Sequence, residues 1–343
     1  MKLTGRKALG VITLAAASLV LAACSSSSSS STAATASSAP AMKGVVGFSY
    51  PIEANTYLKA IGLAAQAELK KAGYDFLPID AQLDGNKQIS DVETMITKKV
   101  TAMIIYPLDS KGLKPALDKA AAAGIKVITM NYSVDDSTAA PPSPALGQVQ
   151  DAFPQRALAK ERVDWLVKVL PKGGNILYVG LAFPVAALEA HAAMFKDELS
   201  KVSQFKYLGR VDNKTDNAEG GRQVVDDALV KYKNISAIVA YNDPTALGAY
   251  AAIRARNLTG KIKVIGLQMQ PEAVTSLQAG QIDGSWDYNP VESGVSLADL
   301  TIAALSGKPE ADYKKTVQTK ATFYDKTTVS SFVPWADRIA KIG

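Results

Sequence analysis

The sequence predicts an α/β fold of two lobes, each built on a parallel β-sheet covered by helices. Short apolar runs rich in β-branched residues alternate with longer segments of helical period from Val45 onward, as parallel strands and their covering helices do. The 300 residues that follow residue 43 are more than one hydrophobic core holds comfortably. A proline-rich stretch at 135–144 divides the alternation into two series, so two lobes are expected.

The first series predicts four strands with three helices between them. The strands are expected at 45–48, 74–79, 102–106 and 127–130, and the helices at 54–72, 88–98 and 113–123. Gly73 and Gly124 each follow a predicted helix, at the position where a left-handed residue commonly ends one. The stretch 135–144 is then predicted to be a surface loop beside a crossover between the lobes.

The second series repeats the alternation and then returns to the first lobe. Its helices are expected at 155–169, 186–199, 218–232, 245–256 and 272–278, and its strands at 176–179, 207–211, 237–240, 264–267 and 284–288. A helix at 291–305 and a strand near 317–323 are predicted to return to the first lobe. Asp243-Pro244 and Asn289-Pro290 each indicate an N-cap followed by proline at the first helical position. The expected lobe bounds are 44–149 plus 290–322, and 150–289 plus 323–343.

The N-terminus has the features of an export signal that ends at a lipid attachment site. A basic head of Lys2, Arg6 and Lys7 precedes an apolar run that closes with Leu21-Ala22-Ala23-Cys24. This pattern resembles a bacterial lipoprotein signal, which implies a signal peptide at 1–23 and a thioether link from the Cys24 thiol to diacylglycerol. A bare transmembrane anchor is the alternative, although the run is short for a bilayer that needs about 20 apolar residues.

Residues 24–43 predict a tether between the lipid and the folded part. From 25 to 41 the chain contains only Ser, Thr, Ala and Pro, a composition that cannot bury enough apolar surface to fold. The tether would hold the folded part away from a membrane surface. We therefore expect an exported protein, either lipid-anchored to the outer face of the cell membrane or periplasmic.

The folded part is nearly neutral, although the whole chain has a formal charge of +6. Lys2, Arg6, Lys7 and Lys43 precede it, which leaves 34 Lys and Arg residues against 32 Asp and Glu residues. No run of basic residues interleaved with aromatic ones occurs, so no nucleic acid partner is expected. Cys24 is the only cysteine, which excludes an intrachain disulfide.

The sequence carries none of the short motifs for phosphate, dinucleotide, serine-hydrolase or zinc-protease chemistry, and no cofactor or metal is expected. His191 is the only histidine and lies in a predicted helix, where a surface or packing role is commoner than a catalytic one. Asp135-Asp136 and Asp226-Asp227 are interpreted as solvated charges. A glycosidase-type site, in which two carboxylates are brought together in space, stays an open alternative.

Three stretches together resemble the type I periplasmic binding proteins of sugar ABC transporters, in particular the ribose-binding-like group. They are 45–73, 237–250 with its Tyr241-Asn242-Asp243-Pro244, and 264–288 with its Ala279-Gly280-Gln281-Ile282. The resemblance covers essentially the whole mature chain. It implies two Rossmann-like lobes joined by a multi-strand hinge, with ligand bound between them. Lactose-repressor-type regulators share the fold but carry a DNA-binding helix-turn-helix where this chain has an export signal.

The resemblance also implies where ligand-binding residues lie, at the ends of strands. Asn242 matches a family asparagine, while Gln268 stands where ribose-type proteins have aspartate and Tyr288 lies near their hinge glutamine. Amide and phenol groups of this kind bind the hydroxyls of a small polar ligand, and aromatic rings stack on its C–H faces. The expected ligand-binding residues are Ser49, Tyr50, Asn55, Tyr57, Asn131, Tyr132, Phe183, Glu189, Asn242, Gln268 and Tyr288.

Departures from the family pattern point away from ribose itself. Asn131-Tyr132 replaces the family's Asp-Arg pair, and Glu189 lies near the place of its sugar-clamping arginine. A pocket rich in Tyr, Asn and Gln suits a neutral sugar or polyol, while Glu189 would accept hydroxyl protons or meet a cationic group. Phe183 and Trp286 are candidate stacking faces and equally candidate core residues, and Asp243 is expected to cap a helix.

The sequence as a whole predicts a lipid-anchored, monomeric solute-binding protein that captures a small neutral sugar or polyol and delivers it to an ABC permease. It is not expected to be an enzyme. The same scaffold binding a nucleoside, a furanone signal or an amine is the nearest alternative. An exported carbohydrate-acting enzyme, or a subunit for a sensor kinase or chemoreceptor, are alternatives of other classes.

Overall fold

The computed structural model describes residues 42–342, so the predicted signal peptide, Cys24 and most of the tether lie outside the described residues. The strands, in chain order, are β1 (Val45–Tyr50), β2 (Asp75–Asp80), β3 (Ala102–Ile105), β4 (Lys126–Met130), β5 (Gly147–Gln150), β6 (Gly174–Leu181), β7 (Phe205–Asn213), β8 (Ala237–Ala240), β9 (Lys263–Ile265), β10 (Ser285–Asp287), β11 (Thr316–Gln318) and β12 (Thr322–Tyr324). The α-helices are α1 (Thr56–Lys71), α2 (Gly85–Thr97), α3 (Ser110–Ala122), α4 (Arg156–Val169), α5 (Ala186–Ser200), α6 (Ala218–Lys231), α7 (Asp243–Ala255), α8 (Pro271–Gln278), α9 (Pro290–Leu305) and α10 (Trp335–Ala340).

The first lobe is built on a six-stranded parallel sheet in the order β11-β5-β4-β3-β1-β2. Its central strands β3 and β4 are buried along nearly their whole length and are mostly apolar, because helices cover both faces of a parallel sheet. Helices α1 and α9 pack closely on one face. A Cβ on Gly294 of α9 would lie 2.4 Å from the carbonyl oxygen of Ile61 in α1, so glycine permits this close approach.

The second lobe is built on a four-stranded parallel sheet in the order β7-β6-β8-β9. Helices α6 and α7 pack closely beside it. At their contact, a Cβ on Gly248 would lie 2.1 Å from the carbonyl oxygen of Ala218, and one on Gly221 would lie 2.8 Å from that of Thr245. The two helix N-termini are thereby held side by side, together with the loops that precede them.

The chain passes between the two lobes after β5, after β10, and between β11 and β12. The last two passages flank a small antiparallel ladder of β10 and β12, and Gly284 next to β10 bridges to Ile265 of the second sheet. Several separate connections therefore link the lobes, and the predicted two-lobe α/β fold with parallel sheets is confirmed. No helix among residues 42–342 has the length and apolarity needed to cross a membrane.

Two strands differ from their sequence-based predictions, and helix α10 was not predicted. Strand β5 was not expected, because its buried Gln148 and Gln150 interrupt any apolar run. Their amides are satisfied inside the sheet: Gln148 Nε2 donates to Thr316 Oγ1 at 3.0 Å, and Gln150 Nε2 donates to the Ser133 carbonyl at 2.7 Å. The single strand expected near 317–323 is two strands, β11 in the first sheet and β12 against β10.

The capping predictions are half correct. Asn289 caps α9 as expected, accepting a hydrogen bond from the Glu292 N–H at 3.3 Å. Helix α7, however, is capped by Asn242 rather than by Asp243, because the Asn242 side chain accepts from the Thr245 N–H at 2.9 Å. Asp243 instead lies buried, where it accepts from the Ser285 hydroxyl at 2.6 Å and the Gln270 N–H at 2.8 Å.

Candidate ligand-binding site

A narrow cavity of about 40 Å³ lies between the two lobes, where the carboxyl ends of their strands face each other. This is the edge at which open parallel sheets bind ligands, but the volume is below the usual range of about 300–1,000 Å³ for such sites, so the lobes must separate before a ligand can enter. Nearly every lining residue follows a strand of one sheet or the other. They are Pro51, Ile52, Asn55, Leu58, Leu83, Tyr106, Phe153, Leu181, Val185, Leu188, Asp216, Tyr241 and Gln268.

Asp216 is the acidic residue in this lining, and it is the centre of a hydrogen-bond cluster. Its Oδ1 accepts from the Tyr241 hydroxyl and from Asn242 Nδ2, the latter at 2.8 Å. Its Oδ2 accepts from Asn55 Nδ2 of the first lobe at 3.4 Å. Burial raises the pKa of the Asp216 carboxyl, and these hydrogen bonds act in the opposite direction.

The start of α1 carries the first lobe's contacts across the cleft. Asn55 caps this helix, with Oδ1 accepting from the N–H groups of Tyr57 at 3.0 Å and Leu58 at 3.3 Å. Its Nδ2 is therefore aimed at the second lobe. The next residue, Thr56, donates its hydroxyl to Gln270 Oε1 at 2.7 Å, and Gln270 Nε2 donates to Gln268 Oε1 at 2.8 Å. The two residues at the start of α1 therefore both begin the helix and make contacts across the cleft.

A second hydrogen-bond chain lies beneath the first-lobe side of the cavity. Asn131 Nδ2 donates to the hydroxyl oxygen of Tyr106 at 2.9 Å, and Asn131 Oδ1 accepts from the Asp151 N–H at 3.0 Å. The Tyr57 hydroxyl donates to Asp151 Oδ2 at 3.0 Å. Burial raises the pKa of Asp151 to about 6. This chain fixes Tyr106, which is the member of it that reaches the cavity.

Both lobes also contribute apolar side chains to the lining. In the second lobe, Leu181 ends β6, and Val185 and Leu188 follow at the start of α5. Phe153 adds an aromatic ring, which lies edge-on to Tyr288 at a centroid distance of 4.8 Å. Polar and apolar groups together suit a ligand that has both hydroxyls and C–H groups.

A buried Arg162–His191 pair supports Phe153 from behind. Arg162 lies 3.0 Å from His191 Nε2 and donates to the Ala240 carbonyl at 2.6 Å. His191 Nδ1 lies 3.1 Å from the Phe153 carbonyl. Burial and the neighbouring guanidinium lower the pKa of His191 to about 3, so the ring is neutral. Neutral His191 then donates from Nδ1 and accepts at Nε2, and its predicted packing role agrees with this placement.

The structure places only part of the expected set at the cavity wall. Asn55 and Gln268 line it. Tyr57, Asn131 and Asn242 are buried directly behind it and hold lining residues through their hydrogen bonds, while Tyr288 packs against Phe153. These four residues therefore shape the site without lining it.

The remaining expected residues lie away from the cavity, and each has another partner. Glu189 forms an ion pair with Arg210, in which both guanidinium nitrogens lie 2.7 Å from its carboxylate oxygens, and its side chain is 45% exposed. Ser49 accepts from Gln88 at 3.3 Å. Tyr132 and Phe183 pack against the hydrophobic cores, as do Tyr50 and Trp286. For Phe183 and Trp286, which were equally candidates for stacking and for core packing, the structure has the core placement.

Sequence reasoning missed Tyr106, Phe153, Asp216 and Tyr241. Tyr106 is the last residue of one predicted strand and Tyr241 comes immediately after another, so their position was a usable signal. Asp216 lies in the loop between a predicted strand and a predicted helix, but among nearby charged residues nothing in the sequence marks it. Phe153 follows the unexpected strand β5 and was missed with it. Among residues 42–342 no group of His, Cys, Asp and Glu is placed to hold a metal ion.

Comparison with known proteins agrees with the fold. The chain is 27% identical over 268 residues to the ribose import binding protein of Bacillus subtilis, covering 77% of this chain and 82% of that protein. It is 26% identical to an ABC transporter solute binding protein from Mycobacterium smegmatis solved with bound glycerol, with a TM-score of 0.72 over 85% of this chain and 97% of that one. A solute binding protein from Burkholderia graminis in complex with D-arabinose gives a TM-score of 0.76 at 20% identity, over 87% and 100% of the chains.

The match to a whole family decides the classification. A family model described as a periplasmic binding protein domain matches residues 46–309, which is most of the chain. The similarity first drawn from three stretches of sequence is confirmed over both lobes. This chain belongs to the periplasmic binding protein domain family.

Proposed function

We propose that this protein is the solute-binding component of an ABC importer and that it captures a small neutral sugar or polyol between its lobes. The observation that carries the proposal is the cavity itself, which takes its lining from the strand ends of both sheets. A ligand seated there touches both lobes at once. The similarity to ribose import and other solute-binding proteins supports the same class of function.

The chemistry of the lining supports a hydroxylated ligand. Asn55, Tyr106, Tyr241 and Gln268 offer amide and phenol groups, and leucine, valine and phenylalanine side chains make up much of the remaining lining. Ligand hydroxyls can bind the polar groups, while C–H groups lie against the apolar side chains. Binding of this kind holds the ligand without altering it, as expected of a solute-binding family.

The proposed mechanism is closure about the connections between the lobes. We assign 44–149 and 290–322 to the first lobe, and 150–289 and 323–343 to the second. A ligand that touches both gains contacts only in the closed form, so it shifts the equilibrium toward closure. A permease that recognises the closed shape then receives loaded protein in preference to empty protein.

Membership of a periplasmic binding family implies a location outside the cytoplasm. We further propose that Cys24 is lipidated after cleavage of residues 1–23, that 24–43 is the tether, and that the protein acts as a monomer beside its permease. Cys24→Ser should release the protein from the membrane fraction and abolish incorporation of a labelled fatty acid. Retention of the label in that variant would rule out the lipid anchor at Cys24.

A thermal-shift panel of sugars, polyols, nucleosides and amines tests the binding function. A ligand at 100 times its Kd stabilises the folded form by about 2.7 kcal/mol, so a true ligand should give a clear shift. Mass spectrometry should recover that ligand unchanged after long incubation. Turnover would instead indicate an enzyme, and silence across the whole panel would contradict the proposal.

Gln268→Ala should then weaken binding by about 1–3 kcal/mol, because its amide lines the cavity. Gln223→Ala is the matched control, since that amide lies on the exposed face of α6 and donates only to Glu219. Equal affinities of the two variants would mean that the cavity is not the binding site.

A further inference from the structure

The charge of the cavity carries an inference about the ligand class, which rests on the proposed binding function. Asp216 is the formally charged residue of the lining, and no cationic side chain within residues 42–342 lines the cavity with it. Its Oδ1 has two donors, but the contact made by Oδ2 is a single one, from Asn55 at 3.4 Å, close to the outer limit of a hydrogen bond. Oδ2 is therefore available to a better donor.

Two donors of the lining, the Tyr241 hydroxyl proton and the Asn55 amide, are both directed at Asp216. The Tyr106 hydroxyl oxygen and Gln268 Oε1 accept hydrogen bonds within the protein, so these two residues offer a hydroxyl proton and an amide Nε2 that suit neutral hydroxyls. The charged acceptor that remains is Asp216 Oδ2. An ammonium group brings three donors and no acceptor, which complements that oxygen, while a carboxylate or phosphate brings only acceptors when ionised.

The charges behind the lining do not reverse this balance. Arg162 is buried beneath Phe153, where Nη1 and Nη2 are held by His191 and the Ala240 carbonyl. Asp151 is buried beneath the first-lobe side of the cavity, where it accepts from the Tyr57 hydroxyl. An anionic ligand would therefore meet Asp216 directly in a poorly solvated site, where like charges are most costly.

We propose that Asp216 is the charge-selecting residue of the cavity, so that among hydroxylated ligands the protein prefers those with a basic amine, tolerates neutral ones, and excludes sugar acids and sugar phosphates. The amine would bind Oδ2 and displace its weak contact with Asn55. Asp216 also joins the lobes through that contact, so the binding of a charged ligand and the closure of the lobes both depend on this residue.

Matched sugars test the ranking in the unmodified mature protein. D-Galactose, D-galactosamine and D-galacturonate, and the corresponding D-glucose series, would be titrated by calorimetry at pH 7 and low salt. We expect the amine to bind at least about tenfold more tightly than the acid within each series that binds. A galacturonate or glucuronate affinity equal to that of the neutral sugar would overturn the inference while leaving the binding function intact. Silence of all six sugars would overturn the inference for these series, and the thermal-shift panel would then decide the binding function separately.

Asp216→Asn separates the charge from the shape of the site. The variant keeps a side chain of nearly the same size and an acceptor for Tyr241 and Asn242, so the preference for amine over acid should fall about tenfold. Asp212→Asn is the control, because that carboxylate lies on β7, is 39% exposed, and pairs with Arg210 outside the cavity. An unchanged preference in Asp216→Asn would overturn the inference, and should that variant fold poorly, the wild-type ranking decides alone.

Discussion

At the scale of single residues, two asparagines of this site each have two roles, as a helix cap and as a hydrogen-bond donor. Asn55 and Asn242 both cap a helix through Oδ1, and both donate from Nδ2 to Asp216. An asparagine amide has a separate acceptor and donor, so one side chain can end a helix and hold a neighbour at the same time. Aspartate at either position would keep the cap but lose the donor.

Asn242→Ala should therefore lower both stability and affinity. The lost cap is expected to cost about 1 kcal/mol of the free energy of unfolding, and loss of the donor to Asp216 should weaken ligand binding as well. Asp109→Ala is the matched control, because Asp109 caps α3 by accepting from the Lys111 N–H at 2.9 Å and does not line the cavity. Urea unfolding and calorimetric titration check the pair. A variant at Asn242 that loses stability but binds normally would show that its contact with Asp216 is irrelevant to the ligand.

Asp243 should make the protein less stable as the pH rises from 6.5 to 8. Burial raises the pKa of its carboxyl from 3.8 in the unfolded chain to about 8 in the folded one. Between those values the folded form holds a proton that the unfolded form has lost, so the free energy of unfolding falls by up to about 1.4 kcal/mol per pH unit. Asp151 also lowers the free energy of unfolding as the pH rises, but only up to about pH 6. His191 has the opposite effect below pH 6.5, where rising pH increases the free energy of unfolding.

Asp243→Asn should flatten that decline, since its amide cannot titrate. Asp84→Asn is the control, an exposed N-cap of α2 whose replacement keeps the cap. Urea midpoints at pH 6.5, 7.25 and 8 measure both variants beside the wild type. If the wild-type midpoint does not change over this range, Asp243 is ionised throughout it, and burial does not raise its pKa to this range.

At the scale of elements, the apolar content of a strand decided whether the sequence predicted it. Strands such as β3 and β8 are uninterrupted apolar runs, and the sequence located them to within a residue or two. Strand β5 was missed because its glutamines are satisfied by partners distant in sequence, Thr316 among them. The lining residue Phe153 was missed for the same reason. Where a strand depends on long-range polar contacts, a local pattern does not carry the information.

Gly248→Ala should push α6 and α7 apart. The added Cβ would overlap the Ala218 carbonyl, so overpacking of about 1–3 kcal/mol should outweigh the gain of about 1 kcal/mol in helix propensity. Affinity should fall too, because Asp216 precedes α6 and Asn242 precedes α7. Gly85→Ala is the control, since nothing lies within 4 Å of a Cβ at that helical position. Thermal unfolding and ligand titration compare them, and a Gly248 variant as stable as the control would mean that the helices can separate without cost.

At the scale of the whole molecule, the sequence predicted the two lobes and their alternating connections but not how they meet. The order of strands and helices follows from local periodicity, and the position of a cleft follows from the geometry of parallel sheets. The contacts across it, Asn55 to Asp216 and Thr56 to Gln270, join residues 161 and 214 positions apart. No single-sequence pattern relates such positions. The acidic residue of the site was therefore predicted to be Glu189, whereas the structure has Asp216 in the lining.

These contacts lead to a prediction about closure. Thr56→Val keeps the side chain's shape but removes its hydroxyl from Gln270 Oε1, a hydrogen bond of 2.7 Å between the lobes. Loss of about 1 kcal/mol of closed-state stability should lower the ratio of closed to open empty protein about fivefold, and should raise the apparent Kd by up to the same factor.

Small-angle scattering and ligand titration test this effect together. The empty Thr56 variant should have a larger radius of gyration than the wild type, and saturating ligand should restore the compact form. Thr97→Val is the control, because its hydroxyl donates to the Glu93 carbonyl within α2, at 2.9 Å and on an exposed face. A Thr56 variant with the control's affinity and radius would mean that the lobes do not rely on this contact when they close. Because the ligand's own contacts add to it only in the closed form, a change in affinity without any change in the bound structure is the signature expected of a closing cleft.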